Sequence, residues 1–201
     1  MKKNWQFFIH TTFYNFLDIL NSGYLLPKTN IDEYLKDHPI IPEQFVYTHL
    51  IFNGLPQDEK LIWNYSSNNN APFIFIIDPN ITRDIEMYLC RGVWYGQCVK
   101  NNNTLLLKTN GNSRVPPKIK NYILNVTLDN LYKYKRNSYI YTHEALFPDI
   151  PTQYIKAILI NKNVSKKYLK DIKYAIDKYP NIKFIIFDHT EPNFDIYFEN
   201  I

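Results

Sequence analysis

Few residues in this sequence have both the type and the setting to do chemistry, and the first is a histidine. In FIHTTFYNFLDILNSGYLLP, residues 8–27, His10 ends an apolar run and stands two positions ahead of Thr12, a residue able to cap a helix. A histidine at such a junction either satisfies itself at a strand end or reaches a ligand. A helix start offers free backbone N–H groups and a field that favours anions. A ring nitrogen there can bond a ligand hydroxyl while the backbone beside it pairs with an amide. Tyr47 and His49, in FVYTHLIF, are two residues apart and so share one face of a strand. They make either a cross-strand aromatic pair or a ring platform for a ligand. Glu144, in IYTHEALFPDIP, follows a strand-like run and sits beside His143. A carboxylate so placed can stabilise a cationic transition state or orient and deprotonate an acceptor. The plainer reading is a solvated charge.

The elements that must position these groups can be read from periodicity. Residues 6–11 read as a short buried strand, with Thr12 as N-cap of a helix whose stripe is Phe13, Phe16, Leu17 and Leu20. Gly23 falls where a left-handed cap belongs, and Pro27 blocks any continuation. Residues 28–44 are polar and Pro-punctuated and read as a loop, with a helical turn near 31–35. EQFVYTHLIF reads as a strand, LPQDEKLIWNYSSNNN as an exposed loop, and APFIFIIDP as a buried strand stopped at Asp78-Pro79. ITRDIEMYLCRG has helical character. A short strand sits between loop signals in 100–118, and 119–136 fits no single element. SYIY and TQYIKAILIN read as strands. Ser165 is placed to cap KKYLKDIKYAIDKY, Pro180 ends that helix, and NIKFIIFD is the next strand. Helices near the start and late in the chain, with strands between, predict an α+β fold and no regular βαβ series.

The two outer segments resemble ADP-ribosyltransferases, most closely the DarT-like group that modifies DNA bases. The opening motif of that group is matched by His10, Thr12, Asn15, Ile19, Leu20, Gly23 and Leu25. Its C-terminal half, a glutamate followed by a loop, an Ile-Pro and a strand of spaced isoleucines, is matched by Glu144, Ile150, Pro151, Ile155, Ile158 and Ile160. The resemblance covers the first 26 and last 60 residues, and its two halves stand about 130 residues apart. It implies a split β-sheet core around an NAD cleft with flanking helices, formed by residues 1–201 as one domain. It also implies NAD as co-substrate, with ADP-ribose passing to an acceptor and nicotinamide released. His10 would position NAD with Thr11, Thr12 and Asn15 beside it. Tyr47 would stack on nicotinamide, and Glu144 would serve the transition state. Thr142, two residues before the glutamate, occupies the position of acceptor-selecting residues, with His143 adjacent. Arg83 and Arg91 are candidates for pyrophosphate or acceptor contact, and Arg114 is a third. The DarT-like enzymes place an arginine near the middle strand, whereas the first arginine of this chain is Arg83.

Composition narrows the alternatives. The chain has 201 residues, 45% hydrophobic, with 17 Tyr and 13 Phe against 5 Gly, enough apolar mass for one core. A net charge of +4 permits an anionic ligand without the dense basic patch of an obligate nucleic-acid binder. Cys90 and Cys98 are too few for a disulfide framework. No apolar run approaches a membrane span, and the basic start MKKNWQFFIHTTF lacks a cleavage site, so the sequence reads as soluble and cytoplasmic with no membrane partner. FIHTTF also fits the His-x-Thr of two-histidine phosphoesterases, but neither YTHLIF nor YTHEAL supplies the second copy. His10, His49, His143 and Glu144 have metal-ligand chemistry without short helical spacing, and no metal is expected. NLYKYKRNSYIY interleaves lysines with aromatics, as a single-strand nucleic-acid grip does. The expected partners are therefore NAD and an acceptor, either single-stranded DNA or RNA or a protein side chain. A non-catalytic nucleic-acid- or protein-binding module on the same fold is the alternative.

Overall fold

A computed structural model of the chain describes residues 5–27, 45–52, 71–85, 88–90, 144–188, 190, 195–199 and 201, with 88–90 and 144 as backbone. The fold is mixed α+β, a central sheet flanked by helices. Strand β1 spans Gln6–Thr12 and is followed by helix α1, Phe16–Ser22, and the two-residue β2, Tyr24–Leu25. Strands β3, Val46–Phe52, and β4, Phe73–Ile77, precede the short helix α2, Ile81–Asp84, and β5, Tyr88–Cys90. Then come β6, Glu144–Phe147, β7, Ile150–Pro151, and β8, Ile155–Asn161. Helix α3, Lys162–Ser165, runs through a 3-10 turn into α4, Leu169–Lys178, and the chain closes with β9, Lys183–Phe187, and α5, Asp195–Phe198. Among the described residues the main sheet has seven strands in the order β5-β6-β3-β1-β4-β8-β9, and β2 and β7 form a separate ribbon. The two sheets implied by the resemblance are thus very unequal. All pairs in the main sheet are antiparallel except β8 with β9.

Burial follows the sheet order. All five residues of β4 are fully buried, because neighbours pair on both sides and helices cover both faces. The register separates the faces. Phe8, His10 and Thr12 share one face with Phe73 and Phe75. Helix α1 covers that face, with the Phe16 ring 5.1 Å from Phe73 and 5.9 Å from Phe184. Helix α4 lies beside it, the Tyr168 ring 4.9 Å from Phe73, and Lys178 and Tyr179 bond Asn21 Oδ1 at 2.9 and 2.8 Å. The opposite face carries α5, with Phe198 stacked on Trp5 at 4.7 Å and Tyr197 against Phe187.

Several element boundaries differ from the sequence reading. Thr12 does not cap α1, because it is still in the sheet, paired with Phe73. Asn15 is the cap, its Oδ1 accepting from the Leu17 N–H at 2.9 Å. Phe13 therefore falls outside the helix and is 65% exposed, while Phe16, Ile19 and Leu20 form the buried stripe. Gly23 closes the helix at φ +81°, as its position predicts. Ser165 does not start the late helix either. Asn161, the last residue of β8, accepts from the Asn163 N–H at 2.9 Å, so the chain passes directly from strand to helix. Among the described residues of 81–92, the helical reading holds for Ile81–Asp84 alone. Ile85 is extended, and Tyr88–Cys90 pairs with β6 as a strand. Glu144 lies within a strand, as the first residue of β6, and Thr152–Tyr154 is a 3-10 turn before β8. The readings for 28–44, 53–70, 100–136 and 138–141 lie outside the described residues.

Candidate functional site: a fork between two strands

The central sheet forks. Strands β1 and β3 pair from Gln6 with Phe52 to Ile9 with His49, and their ladder stops there. Each strand nevertheless continues with its other neighbour. β1 stays on β4 as far as Thr12 with Phe73, and β3 stays on β6 as far as Val46 with Phe147. Beyond Ile9 and His49 the ends of β1 and β3 run on without a shared ladder, so side chains there can bridge from one strand to the main chain of the other.

His10 stands at the root of the fork. Its Nδ1 lies 2.7 Å from the main-chain oxygen of Tyr47, so the imidazole links β1 to β3 where the backbone ladder no longer does. A carbonyl oxygen only accepts, so Nδ1 carries the hydrogen, and the neutral ring keeps a lone pair on Nε2. Burial of the ring lowers its pKa from 6.5, and the bond to the Tyr47 carbonyl opposes that shift without cancelling it. The result is a neutral, oriented imidazole with Nε2 as an acceptor, the arrangement that suits a hydroxyl donor.

The neighbouring polar groups are already engaged in building the junction. Thr12 is buried, and its Oγ1 accepts from the Tyr14 N–H at 3.1 Å. Asn15 Oδ1 is occupied by the Leu17 N–H. Phe13 and Tyr14, 65% and 53% exposed, stand between β1 and α1. Sequence reading assigned Phe13 to the helix core, and the signal it missed was Asn15, a stronger cap than Thr12 that leaves the two aromatics outside.

The register distributes the other expected residues. Tyr47 and His49 share a face, as their spacing predicts, with Ile9 opposite His49. That face is the one opposite His10, so what meets His10 is the main chain of Tyr47. Across β3, His49 pairs with Glu144, and Glu144 pairs in turn with Cys90. Tyr47, His49 and Glu144 are therefore brought together on two adjacent strands beside the fork. Thr48, between them, is fully buried and donates its hydroxyl to the Ala145 carbonyl at 2.9 Å, locking β3 to β6. Thr11 lies on the Tyr47 side of β1. Arg83 is exposed on α2, beyond the Ile77 end of β4, whereas the fork opens toward the Phe73 end. Arg91, Arg114, Thr142 and His143 lie outside the described residues. No group of His, Cys, Asp and Glu able to hold a metal occurs among the described residues. Nor, among them, is any helix long and apolar enough to cross a membrane.

No family model and no curated protein matches the chain. Among solved structures, Thermus sp. 2.9 DarT in complex with carba-NAD+ aligns with 90% of this chain and 94% of its own, at a TM-score of 0.40 and 13% sequence identity.

Proposed function

We propose that the chain is an NAD-dependent ADP-ribosyltransferase. The observation that carries this reading is His10 at the fork, held neutral with Nδ1–H on the Tyr47 carbonyl and Nε2 left as an acceptor. The residues around it are the ones on which the sequence resembles that superfamily. In this reading His10 Nε2 accepts from a ribose hydroxyl of NAD, with Thr11, Thr12 and Asn15 shaping the wall beside it. Asn15 acts through the helix start it caps, and Thr12 through the Tyr14 N–H it holds. The Tyr47 ring stacks on the nicotinamide. The Glu144 carboxylate binds the hydroxyls of the nicotinamide ribose and stabilises positive charge at C1′.

The chemistry is a substitution at that carbon. The C1′–N bond breaks, and its electron pair leaves with neutral nicotinamide. A lone pair of the acceptor forms the new bond to C1′ and the acceptor loses a proton, for which Glu144 is the base. The acceptor is a nucleic-acid base or a protein side chain, met near Thr142 and His143. Arg83 and Arg91 remain candidates for contact with phosphate or acceptor, Arg83 the weaker for its place beyond the far end of β4.

The test is incubation of the purified chain with labelled NAD and single-stranded DNA, RNA or protein, following nicotinamide release and label transfer. Release and transfer are expected, with a loss of about 10²–10³-fold or more in Glu144→Gln at unchanged thermal midpoint. Undiminished transfer in that variant removes Glu144 from the mechanism. NAD binding with no release of nicotinamide establishes instead a binding module on this fold.

A further inference from the structure

His49 has no role in the reaction as described, yet the sheet sets it beside Glu144, on which that reaction depends. β3 and β6 pair antiparallel with His49 opposite Glu144. Directly opposed residues of such a pair share a face, their Cβ atoms about 4.5–5.5 Å apart. The register is fixed next to them. Thr48 and Ala145, one residue along each strand, also stand opposite one another, and the buried Thr48 hydroxyl donates to the Ala145 carbonyl at 2.9 Å. A slip by one residue would break that bond and move Val46, Leu50 and Phe52 off the face on which they are buried. The sheet itself therefore keeps His49 and Glu144 side by side.

The other register neighbours of His49 are aliphatic or aromatic. β1 places buried Ile9 opposite it on its second side, and along β3 the residues on the same face are Tyr47 and buried Ile51. Of these neighbours Glu144 is the acid, and Cys90 of β5 stands in line beyond it. His10 lies on the opposite face with its Nδ1 committed to the Tyr47 carbonyl. An imidazole placed between an aliphatic side chain and a carboxylate finds its charge-assisted hydrogen bond on the acid side. Its two ring nitrogens allow that bond together with another partner on the second.

We propose that His49 is a positioning residue for Glu144. A ring N–H of His49 donates to one carboxylate oxygen and fixes the rotamer of an otherwise freely turning side chain. The second oxygen is left for the ribose hydroxyls and the acceptor proton. This role rests on the transferase reading above, whereas the pairing of the two side chains does not. A glutamate without that donor loses its orientation at C1′ and keeps its share of NAD binding. The effect of losing His49 therefore belongs in kcat and not in KM.

The test uses the full chain with isotope-labelled histidine. Ring-nitrogen NMR shifts, read through the carbon-bound ring protons, report which nitrogen carries hydrogen. The His49 signals, assigned by their loss in His49→Gln, are expected to move in Glu144→Gln while those of His10 stay. His49 signals unmoved by Glu144→Gln overturn the pairing, whether or not the protein turns over NAD. In the transfer assay, His49→Leu of unchanged circular dichroism is expected to lower kcat about tenfold to a hundredfold, the worth of a hydrogen bond to a charged group, with KM for NAD nearly unchanged. His49→Gln keeps an N–H donor and is expected to recover most of that loss. Added to Glu144→Gln, His49→Leu is expected to change little, because the partner it served is gone. A rise in KM in place of the fall in kcat, no recovery with Gln, or full additivity with Glu144→Gln overturns the positioning role. His49 signals that move as expected, with no nicotinamide release from the wild type, overturn the transferase reading and the role with it, and leave the pairing standing.

Discussion

At the scale of single residues, His10 is the group whose state is most tightly specified. Its hydrogen sits on Nδ1 because a carbonyl faces it, and its pKa lies below 6.5 because burial disfavours the cation. The consequence for stability has a definite sign. In the unfolded chain the ring takes up a proton as pH falls through 6.5, whereas in the folded protein it resists until a lower pH. The unfolded state then binds more protons, so stability contributed by the neutral ring is present above pH 6.5 and is lost as pH falls from there toward the folded value. The wild-type thermal midpoint is therefore expected to drop more between about pH 7.5 and 5.5 than that of His10→Gln, which keeps a donor for Tyr47 but does not titrate. Equal slopes for the two proteins would contradict the assigned burial. Other titrating groups are common to both and cancel in the comparison.

At the scale of elements, the β1–α1 junction shows how a strand hands over to a helix. Thr12 belongs to the ladder, its hydroxyl organises Tyr14, and Asn15 then caps Leu17. Removing the cap in Asn15→Ala is expected to cost about 1 kcal/mol, read as a lower urea midpoint at unchanged slope. At the far end, Gly23 sits at φ +81° with its N–H on the Leu20 carbonyl at 3.3 Å. No atom lies within 4 Å of a Cβ built there, so the cost of Gly23→Ala is backbone strain alone. It should also amount to about 1 kcal/mol, and Gly23→Asn, which tolerates the left-handed region better, should cost less. A larger loss for Asn than for Ala would mean that the site is crowded after all. Asn161 at the β8–α3 handover uses the same device, so strand exits at both helices are governed by an Asn side chain.

At the scale of the whole molecule, Phe73 ties the layers together. It is fully buried at the start of β4, pairs with Thr12 at the mouth of the fork, and its ring meets both Phe16 of α1 and Tyr168 at the entry to α4. Phe73→Ala is expected to cost about 3–5 kcal/mol, because a cavity opens under two helices at once. If the protein still folds, NAD binding should weaken in parallel, since the same contacts hold the β1 side of the fork. A urea midpoint shifted by less than about 1 kcal/mol would show that the helices are anchored elsewhere. Across the sheet, His10 lies on one face and the Tyr47, His49 and Glu144 positions on the other, and the bond from His10 to the Tyr47 main chain links β1 to β3 where their ladder stops. That makes the fork, and neither face alone, the feature on which the proposed chemistry depends.

The sequence by itself determined the elements whose signals are local. The APFIFII strand, the amphipathic late helix, the glycine that closes α1 and the shared strand face of Tyr47 and His49 all follow from side-chain period or backbone allowance. These depend on neighbours a few residues away. Only the tertiary structure decided which threonine stayed in the sheet, that Asn15 and Asn161 cap the helices, that Tyr88–Cys90 is a strand, and that Glu144 stands opposite His49. Each of those outcomes is set by pairing with a strand far away in the chain, and local propensities differ by too little to override a ladder of hydrogen bonds and a buried face. The fork is the clearest case. Both of its strands are legible in the sequence, but where their pairing stops is a property of the assembled sheet, and His10 gains its bond to Tyr47, 37 residues away, only there.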